Sequence, residues 1–301
     1  MRIKQLLIAV GVGTMLAACS SDEMQTEKAG GIPINFTANI QNLIPSAGTR
    51  VNAGTSGLSI TEFTEGSEIT VGYYSSSSID PVLKFESGTW NYTGDKLYFP
   101  VNGTATVIGF YPKLTNSVGS VMRTMYNTPT NQSELSTYQS ADVMAAAATI
   151  SSPTSEPVNL TFKHLCAKIV VNISGSSIPS SFTVKMKNIL TVGTYGTSGD
   201  VVKINKMYGA NEVTLGNYSA SGQTGVIIPQ NVEADTELIE VGAGDVKYTF
   251  VTSSAINFKA GCEYTFNLNL NKTAINPGDI AITNWEADPD HSNPIEGNLA
   301  Q

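Results

Sequence analysis

Val158-Asn159-Leu160-Thr161-Phe162-Lys163-His164-Leu165-Cys166-Ala167-Lys168-Ile169-Val170-Val171-Asn172-Ile173 carries the strongest strand signal in the chain. Val158, Leu160 and Phe162 share one face at period two, and then the apolar set becomes Leu165, Ala167, Ile169, Val171 and Ile173. A one-residue change of phase sends every following side chain to the other face. The switch near His164 therefore predicts a β-bulge or a strand that moves between two sheets. Phe162, Leu165, Ala167, Ile169 and Val171 are expected in the core of a C-terminal sandwich.

The same alternation recurs on both sides, in short runs bounded by Gly, Pro, Asn and Ser. Ile32, Ile34, Phe36, Ala38 and Ile40 fall on one face, and Pro33, Asn35, Thr37 and Asn39 on the other. Pro33 has no N–H to give and belongs at a strand start or a sheet edge. A polar loop over 42–59 follows. Strands are expected near 68–74, 82–86, 89–92, 96–99 and 104–111, with turn chemistry at Gly94-Asp95 and Asn102-Gly103. From 115 to 140 the pattern dissolves, which predicts a long loop with one or two strands. Ala145–Ala148 is too short to nucleate a helix and is expected to be extended. Further strands fit 182–189, 201–206, 212–215, 225–228, 236–241, 247–252 and 264–270. No stretch reads as a long amphipathic helix, so the fold class is all-β, two sandwiches in tandem.

Only 14% of the 301 residues are charged, against about 25% in an average globular protein. Ser, Thr, Asn and Gly fill the exposed faces instead, as suits an extracellular β-protein. A net charge of −8 argues against nucleic acid or an anionic membrane as partner.

The N-terminus explains the compartment. Arg2 and Lys4 precede an apolar run that ends in Leu16-Ala17-Ala18-Cys19, the layout of a secretory signal. The run is too short to cross about 30 Å of hydrocarbon. Its ending matches the bacterial lipobox, which implies a signal peptide over 1–18, cleavage before Cys19 and a diacylglycerol, with palmitate-type acyl chains, joined to the Cys19 sulfur as a thioether. Several acyl chains anchor firmly where one does not. Ser20-Ser21-Asp22-Glu23 then resembles a surface-export signal, or serves as a solvated leader. The envelope permits disulfides, yet Cys166 and Cys262 do not make a framework, and two free thiols are expected.

Catalytic chemistry is not expected. The two histidines are His164, inside a strand and read as structural, and His291, in the tail Asp288-Pro289-Asp290-His291. Glu62, Glu65 and Glu68 read as surface charge. No nucleophile elbow, P-loop, dinucleotide fingerprint or zinc-ligand spacing occurs. No enzyme activity, cofactor or metal site is therefore assigned.

A set of segments in fixed order resembles the fimbrillin family, the Mfa-like subunits of type V pili. It comprises the lipobox Cys19, the strand 32–40, Thr49-Arg50, Phe110-Tyr111-Pro112 and Asp142-Val143-Met144-Ala145. It continues through Phe162-Lys163-His164-Leu165-Cys166-Ala167-Lys168-Ile169, Phe258-Lys259-Ala260-Gly261 leading into Tyr264–Leu270, Ile280-Ala281-Ile282 and Trp285. The resemblance implies two transthyretin-like β-sandwiches, a lipid anchor in the outer membrane, and cutting at Arg50 by an arginine-specific protease. The implied partners are other fimbrial subunits, joined by β-strand addition at the cell surface, in a fimbria that supports adhesion. The implied division is a signal peptide 1–18, a lipidated segment 19–50 with a removable strand, and sandwiches at 51–155 and 156–301. Strand 32–40 completes the first sandwich before cleavage. Removing that strand would leave an apolar groove with unpaired edges, open to another strand. The tail after Trp285 offers only Ile295 and Leu299 as strand residues, so stalk, tip and anchor positions all stay open. The alternative is a permanently tethered lipoprotein that binds glycans on Trp90, Tyr92, Tyr73 and Tyr74, unless those aromatics pack inside. Cys19→Ala is expected to leave the protein unanchored, as cell fractionation will check; a variant that still pellets with outer membranes contradicts the lipobox reading.

Overall fold

The computed structural model describes residues 31–41, 62–74 and 80–284, except 102, 123–124, 152, 176–177, 179, 199, 220–221 and 272–273. At 207, 219, 271 and 274–284 it describes the backbone alone. Cys19, Arg50, Trp285 and the 288–291 tail lie outside the described residues.

Strands dominate, in the order β1 (Phe36–Ile40), β2 (Glu68–Tyr73), β3 (Val82–Glu86), β4 (Thr89–Tyr92), β5 (Ala105–Tyr111), β6 (Met125–Asn127), β7 (Met144–Ile150), β8 (Val158–His164) and β9 (Ala167–Ser174). There follow β10 (Thr183–Ser198), β11 (Val201–Thr214), β12 (Gly216–Ser219), β13 (Gly222–Ile227), β14 (Gln230–Val232), β15 (Glu237–Ala243), β16 (Val246–Val251), β17 (Ile256–Phe258), β18 (Cys262–Asn271) and β19 (Ala274–Asn284). Two short helices, α1 (Val118–Val121) and α2 (Leu135–Ala141), flank β6. The chain is all-β.

A seven-stranded sheet runs β1-β8-β7-β5-β2-β3-β4. Two five-stranded sheets follow. One has β11-β10-β15-β16 with β6 also on β10, the other β12-β13-β9-β18-β19; β14 and β17 form a separate pair. Most pairings are antiparallel. The parallel ones are β1 with β8 and β9 with β18.

The phase switch at His164 is a change of sheet. β8 ends at His164 in the seven-stranded sheet, and β9 begins at Ala167 in another. Leu165 and Cys166 turn the corner, pinned by Leu165 N–H donating to Val143 O at 2.9 Å. Beside them His164 Nδ1 lies 2.8 Å from Asp142 Oδ1, both side chains buried. The segments Asp142–Ala145 and Phe162–Cys166 thus meet as neighbours, with Met144 opposite His164 and Ala145 opposite Lys163. His164 is a hydrogen-bonded structural residue, as its place in a strand suggested.

This corner divides the expected core. Ala167, Ile169 and Val171 pack in the C-terminal core with Met186, Phe250 and Phe266. Phe162, by contrast, packs in the N-terminal core with Ile34, Phe36, Ile69, Val71 and Leu83. Leu165 and Cys166 belong to a third cluster with Phe110, Tyr126, Tyr138, Val202 and Ile204. That cluster draws on β5, β11 and α2 together, so apolar contact is continuous between the chain's two halves. Cys166 and Cys262 are both buried and are not bridged to each other. Burial pushes the Cys166 thiol up to about 12, so it remains a protonated, inert apolar group.

Other departures have local causes. The stretch 115–140 holds α1 and α2 where a loop was expected; at four and seven residues they are too short to show a helical period. Expected strands at 182–189, 201–206 and 212–215 merge into one long hairpin, β10–β11, with register shifts after Met186 and Val192. Asn188, at φ 54°, supports the first shift; a left-handed residue inside a strand disguises its alternation. The expected strand at 96–99 is a single bridge, Tyr98 to Pro33. Ala145–Ala148 is extended, within β7.

Asp80 ties α1 to the sheet. It is 7% exposed, and its Oδ2 accepts from Val118 N–H at 2.5 Å. The carboxyl lies flat over Gly72, where any Cβ would overlap it. Burial raises its pKa from 3.8 to about 6 against the opposing pull of that hydrogen bond. The folded state therefore holds a proton that the unfolded chain has released, and stability from this group falls as pH rises from about 4 to 6. Asp80→Asn keeps the acceptor and removes the charge. Relative to the variant, the wild type is expected to gain roughly 1–3 kcal/mol on going from pH 7 to pH 4; denaturant titrations at both pH values will check this.

Candidate functional site: the seat of the first strand

β1 sits between two edges of one sheet. On one side it pairs in parallel with β8, from Phe36 opposite Val158 to Ile40 opposite Phe162. Val158 N–H donates to Asn35 O at 2.8 Å and Gln41 N–H to Phe162 O at 2.9 Å, bounding that ladder. On the other side the residues before β1 meet the segment after β4. Ile34 N–H donates to Leu97 O at 2.8 Å, and Phe99 N–H donates to Ile32 O at 3.0 Å. β1 and β4 are the two ends of the seven-stranded order, so this strand brings the sheet's two edges together.

The side chains follow the alternation with one exception. Ile34, Phe36 and Ile40 are buried at 0%, 5% and 5% exposure, and Ala38 packs against the same core. Ile32, expected on that face, is 53% exposed. It precedes the ladder, and only its carbonyl is engaged. Each fully buried large side chain contributes about 1.5–3 kcal/mol, so three of them hold the strand with about 5–9 kcal/mol, comparable to the stability of a whole domain.

The seat is shaped to receive β1. Phe162, at the end of β8, lies under Gly109 of β5, where a Cβ would come within 2.7 Å of its ring. Phe63 stands edge-on to Trp90, Tyr111 and Phe162, with centroids 5.0, 5.5 and 5.3 Å away. Tyr92 is T-shaped to Phe36 at 6.5 Å.

The aromatics weighed as a sugar platform are spent here. Trp90 and Tyr92 are half-buried against the N-terminal core. The Trp90 indole N–H donates to Ala38 O at 3.4 Å, and the Tyr92 hydroxyl to Ile34 O at 2.7 Å. Tyr73 is buried, its hydroxyl donating to Tyr98 O, and burial pushes its pKa up to about 12. Tyr74 alone of the four is well exposed, at 45%. Sequence reasoning found these rings but not their partners; alternation on β4 marked Trp90 and Tyr92 as one face without showing what lay opposite.

Arg50 and Cys19 fall outside the described residues. The chain leaves them at Gln41 and resumes at Glu62, so Arg50 belongs to the connection that follows β1. At the other end of the chain, β19 pairs with β18, Ile282 opposite Tyr264 and Ile280 opposite Phe266. Ile280 and Ile282 thus complete the C-terminal sheet. Among the described residues no group of acidic, histidine and cysteine side chains is placed to hold a metal ion, and no helix is long and apolar enough to cross a membrane.

A family model described as fimbrillin-like matches residues 48–285. The chain belongs to the fimbrillin-like family. Among solved structures, a candidate cell adhesion protein from Bacteroides ovatus superposes on this fimbrillin-like chain with a TM-score of 0.61 at 17% identity, covering 86% of this chain and 99% of that one. A second, from Bacteroides uniformis, gives 0.56 at 17% identity over 86% and 99%. The tip fimbrial protein Mfa3 from Porphyromonas gingivalis gives 0.44 at 10% identity over 76% and 96%. At these identities the likeness is one of fold. No curated protein matches the sequence. Membership makes this a structural protein of the cell surface and not an enzyme.

Phe36 makes the sharpest test of how β1 is held. Phe36→Ala is expected to destabilise the protein by about 3–5 kcal/mol through lost burial and a cavity, measured by equilibrium denaturation of the full chain.

Proposed function

We propose that this fimbrillin-like chain is a subunit of a cell-surface fimbria that supports adhesion. In this reading it is exported as an outer-membrane lipoprotein through Cys19 and cut at Arg50 by an arginine-specific protease. It then joins the next subunit by strand exchange at the seat of β1. The observation that carries the reading is the position of β1: a five-residue strand, parallel to β8, that completes its sheet and leads directly into the connection containing Arg50. Tandem transthyretin-like sandwiches, with β1 completing the first, belong to the same proposal; because β8 pairs with β1 and β7, the division is drawn at the corner after His164 and not near 155/156.

The energetics favour exchange over simple loss. Vacating the seat exposes Leu160 and Phe162 and leaves the β8 backbone unpaired, at the cost of an open sheet edge. A strand from another subunit restores both the ladder and the burial by β-augmentation. Cutting at Arg50 leaves the hydrogen bonds and buried side chains of β1 in place. What changes is concentration: a tethered strand rebinds at the millimolar effective concentration of a short linker, and a released peptide does not.

The reading of a permanently tethered glycan binder has less support, because Trp90, Tyr92 and Tyr73 are engaged with β1 and its surroundings. Arg50→Ala separates the two readings. The variant is expected to stay folded, monomeric and lipid-anchored after treatment with an arginine-specific protease, with no fibres by electron microscopy, whereas treated wild type polymerises. Fibres of normal length from Arg50→Ala reject the processing step.

A further inference from the structure

We propose that Trp90 and Tyr92 form a two-point latch on the backbone of the strand lying beside β8, which in the precursor is β1, and that the latch sets how long that strand stays in its seat. The proposal rests on the strand-exchange reading above. It assigns the two aromatics a positioning role in that exchange, in place of a merely space-filling one.

The geometry separates the two sides of the strand. Peptide groups alternate along a β-strand, so the odd-numbered ones of β1 face β8, as Asn35 O and Gln41 N–H show. The even-numbered ones face away from β8, toward β4. β1 has no ladder with β4 in the sheet order. Instead, two side chains two residues apart on β4 reach two carbonyls four residues apart on β1: Tyr92 to Ile34 O, and Trp90 to Ala38 O. Both donors aim at backbone, so the latch reads where the strand's carbonyls lie and not which side chains it carries. A slip by one residue that keeps the ladder to β8 presents the odd-numbered carbonyls to the latch but turns Asn35, Thr37 and Asn39 toward the core in place of Phe36 and Ala38. A slip by two also keeps carbonyls at the latch but moves each inward side chain to the next pocket, against the Tyr92–Phe36 ring contact. The side-chain pockets thus admit one register, and the latch holds the strand in it.

Both donors are themselves held. The Trp90 ring is wedged edge-on to Phe63 at 5.0 Å and tilted on Phe85 at 5.2 Å. The Tyr92 hydroxyl has one proton and a second acceptor, Leu97 O, at a longer 3.5 Å. Burial raises the Tyr92 pKa, so the hydroxyl keeps that proton and stays a donor.

The test uses the full chain, cut by an arginine-specific protease, with dissociation of the N-terminal segment followed by size exclusion and mass spectrometry. Tyr92→Phe and Trp90→Phe each keep an aromatic ring and delete the donor. Each is expected to speed dissociation about 2- to 10-fold, the range for one net hydrogen bond, and the double variant by roughly the product. Tyr218→Phe is the control: it deletes a hydroxyl that donates to Gln132 O, away from the seat, and should leave dissociation unchanged. Equal acceleration in the control means general loosening and overturns the latch. So does an unchanged rate in both β4 variants. If the protease leaves Arg50 uncut, the processing step fails, and the latch is judged in the uncut chain by amide hydrogen exchange. There Thr37, Asn39 and Gln41 should exchange faster in both variants while Ile169 does not change; no difference rejects the latch.

Discussion

A strand buried in a sheet must have its N–H and C=O groups paired on both sides, and β8 is where that requirement governs this molecule. It has β7 on one flank and β1 on the other. β7 is joined to β8 through the chain's own register, while β1 arrives from the far N-terminus of the described residues. The N-terminal core includes Phe36 and Ile40 of this strand and Ile34 just before it, and several neighbours are placed to receive it. Gly109 leaves room for Phe162, Phe63 closes the end of the pocket, and β4 supplies donors where no ladder exists. The sheet is complete only when β1 is present.

The end of β8 carries a second constraint. At Leu165 and Cys166 the chain must leave one sheet and enter another without stranding polar groups in an apolar cluster. The bond from Leu165 N–H to Val143 O and the Asp142–His164 pair meet that demand at the corner. Further on, Lys168 is buried on β9 and ion-paired to Glu263, its register partner on β18, at 3.0 Å. A salt bridge of this kind adds little net stability but is costly to break, and here it coincides with a parallel pairing that has no hairpin to set its register.

The sequence made the architecture legible wherever one face of a strand is buried and the other wet. Strands 82–86 and 89–92 and the phase switch at His164 follow from period two alone. Legibility failed where alternation is interrupted, as at Asn188 in β10, or where an element is too short to display a period, as in α1. The seat of β1 was half legible. Ile34, Phe36, Ala38 and Ile40 announced a strand with one apolar face, but its neighbours are 120 residues downstream at Val158–Phe162 and 60 downstream at Leu97–Phe99, roughly counted, and no local pattern encodes a long-range pairing. Trp90 and Tyr92 were visible as aromatics and invisible as hydrogen-bond donors to a particular strand. Cys19 and Arg50 are legible only in the sequence.

The parallel direction of β1 and β8 also fixes how the seat bears load. In a parallel pair the start of one strand and the end of the other lie at opposite ends of the ladder. A pull applied to the chain ahead of Gly31, and resisted by the body that continues from His164 into β9, draws the two strands past each other along their length. Every bond of the ladder shares that force at once. Were the pair antiparallel, the same pull would act at one end and open the bonds in turn, like a zipper. The molecule thus holds its first strand in shear, the stronger of the two arrangements, against tension arriving from its N-terminal side.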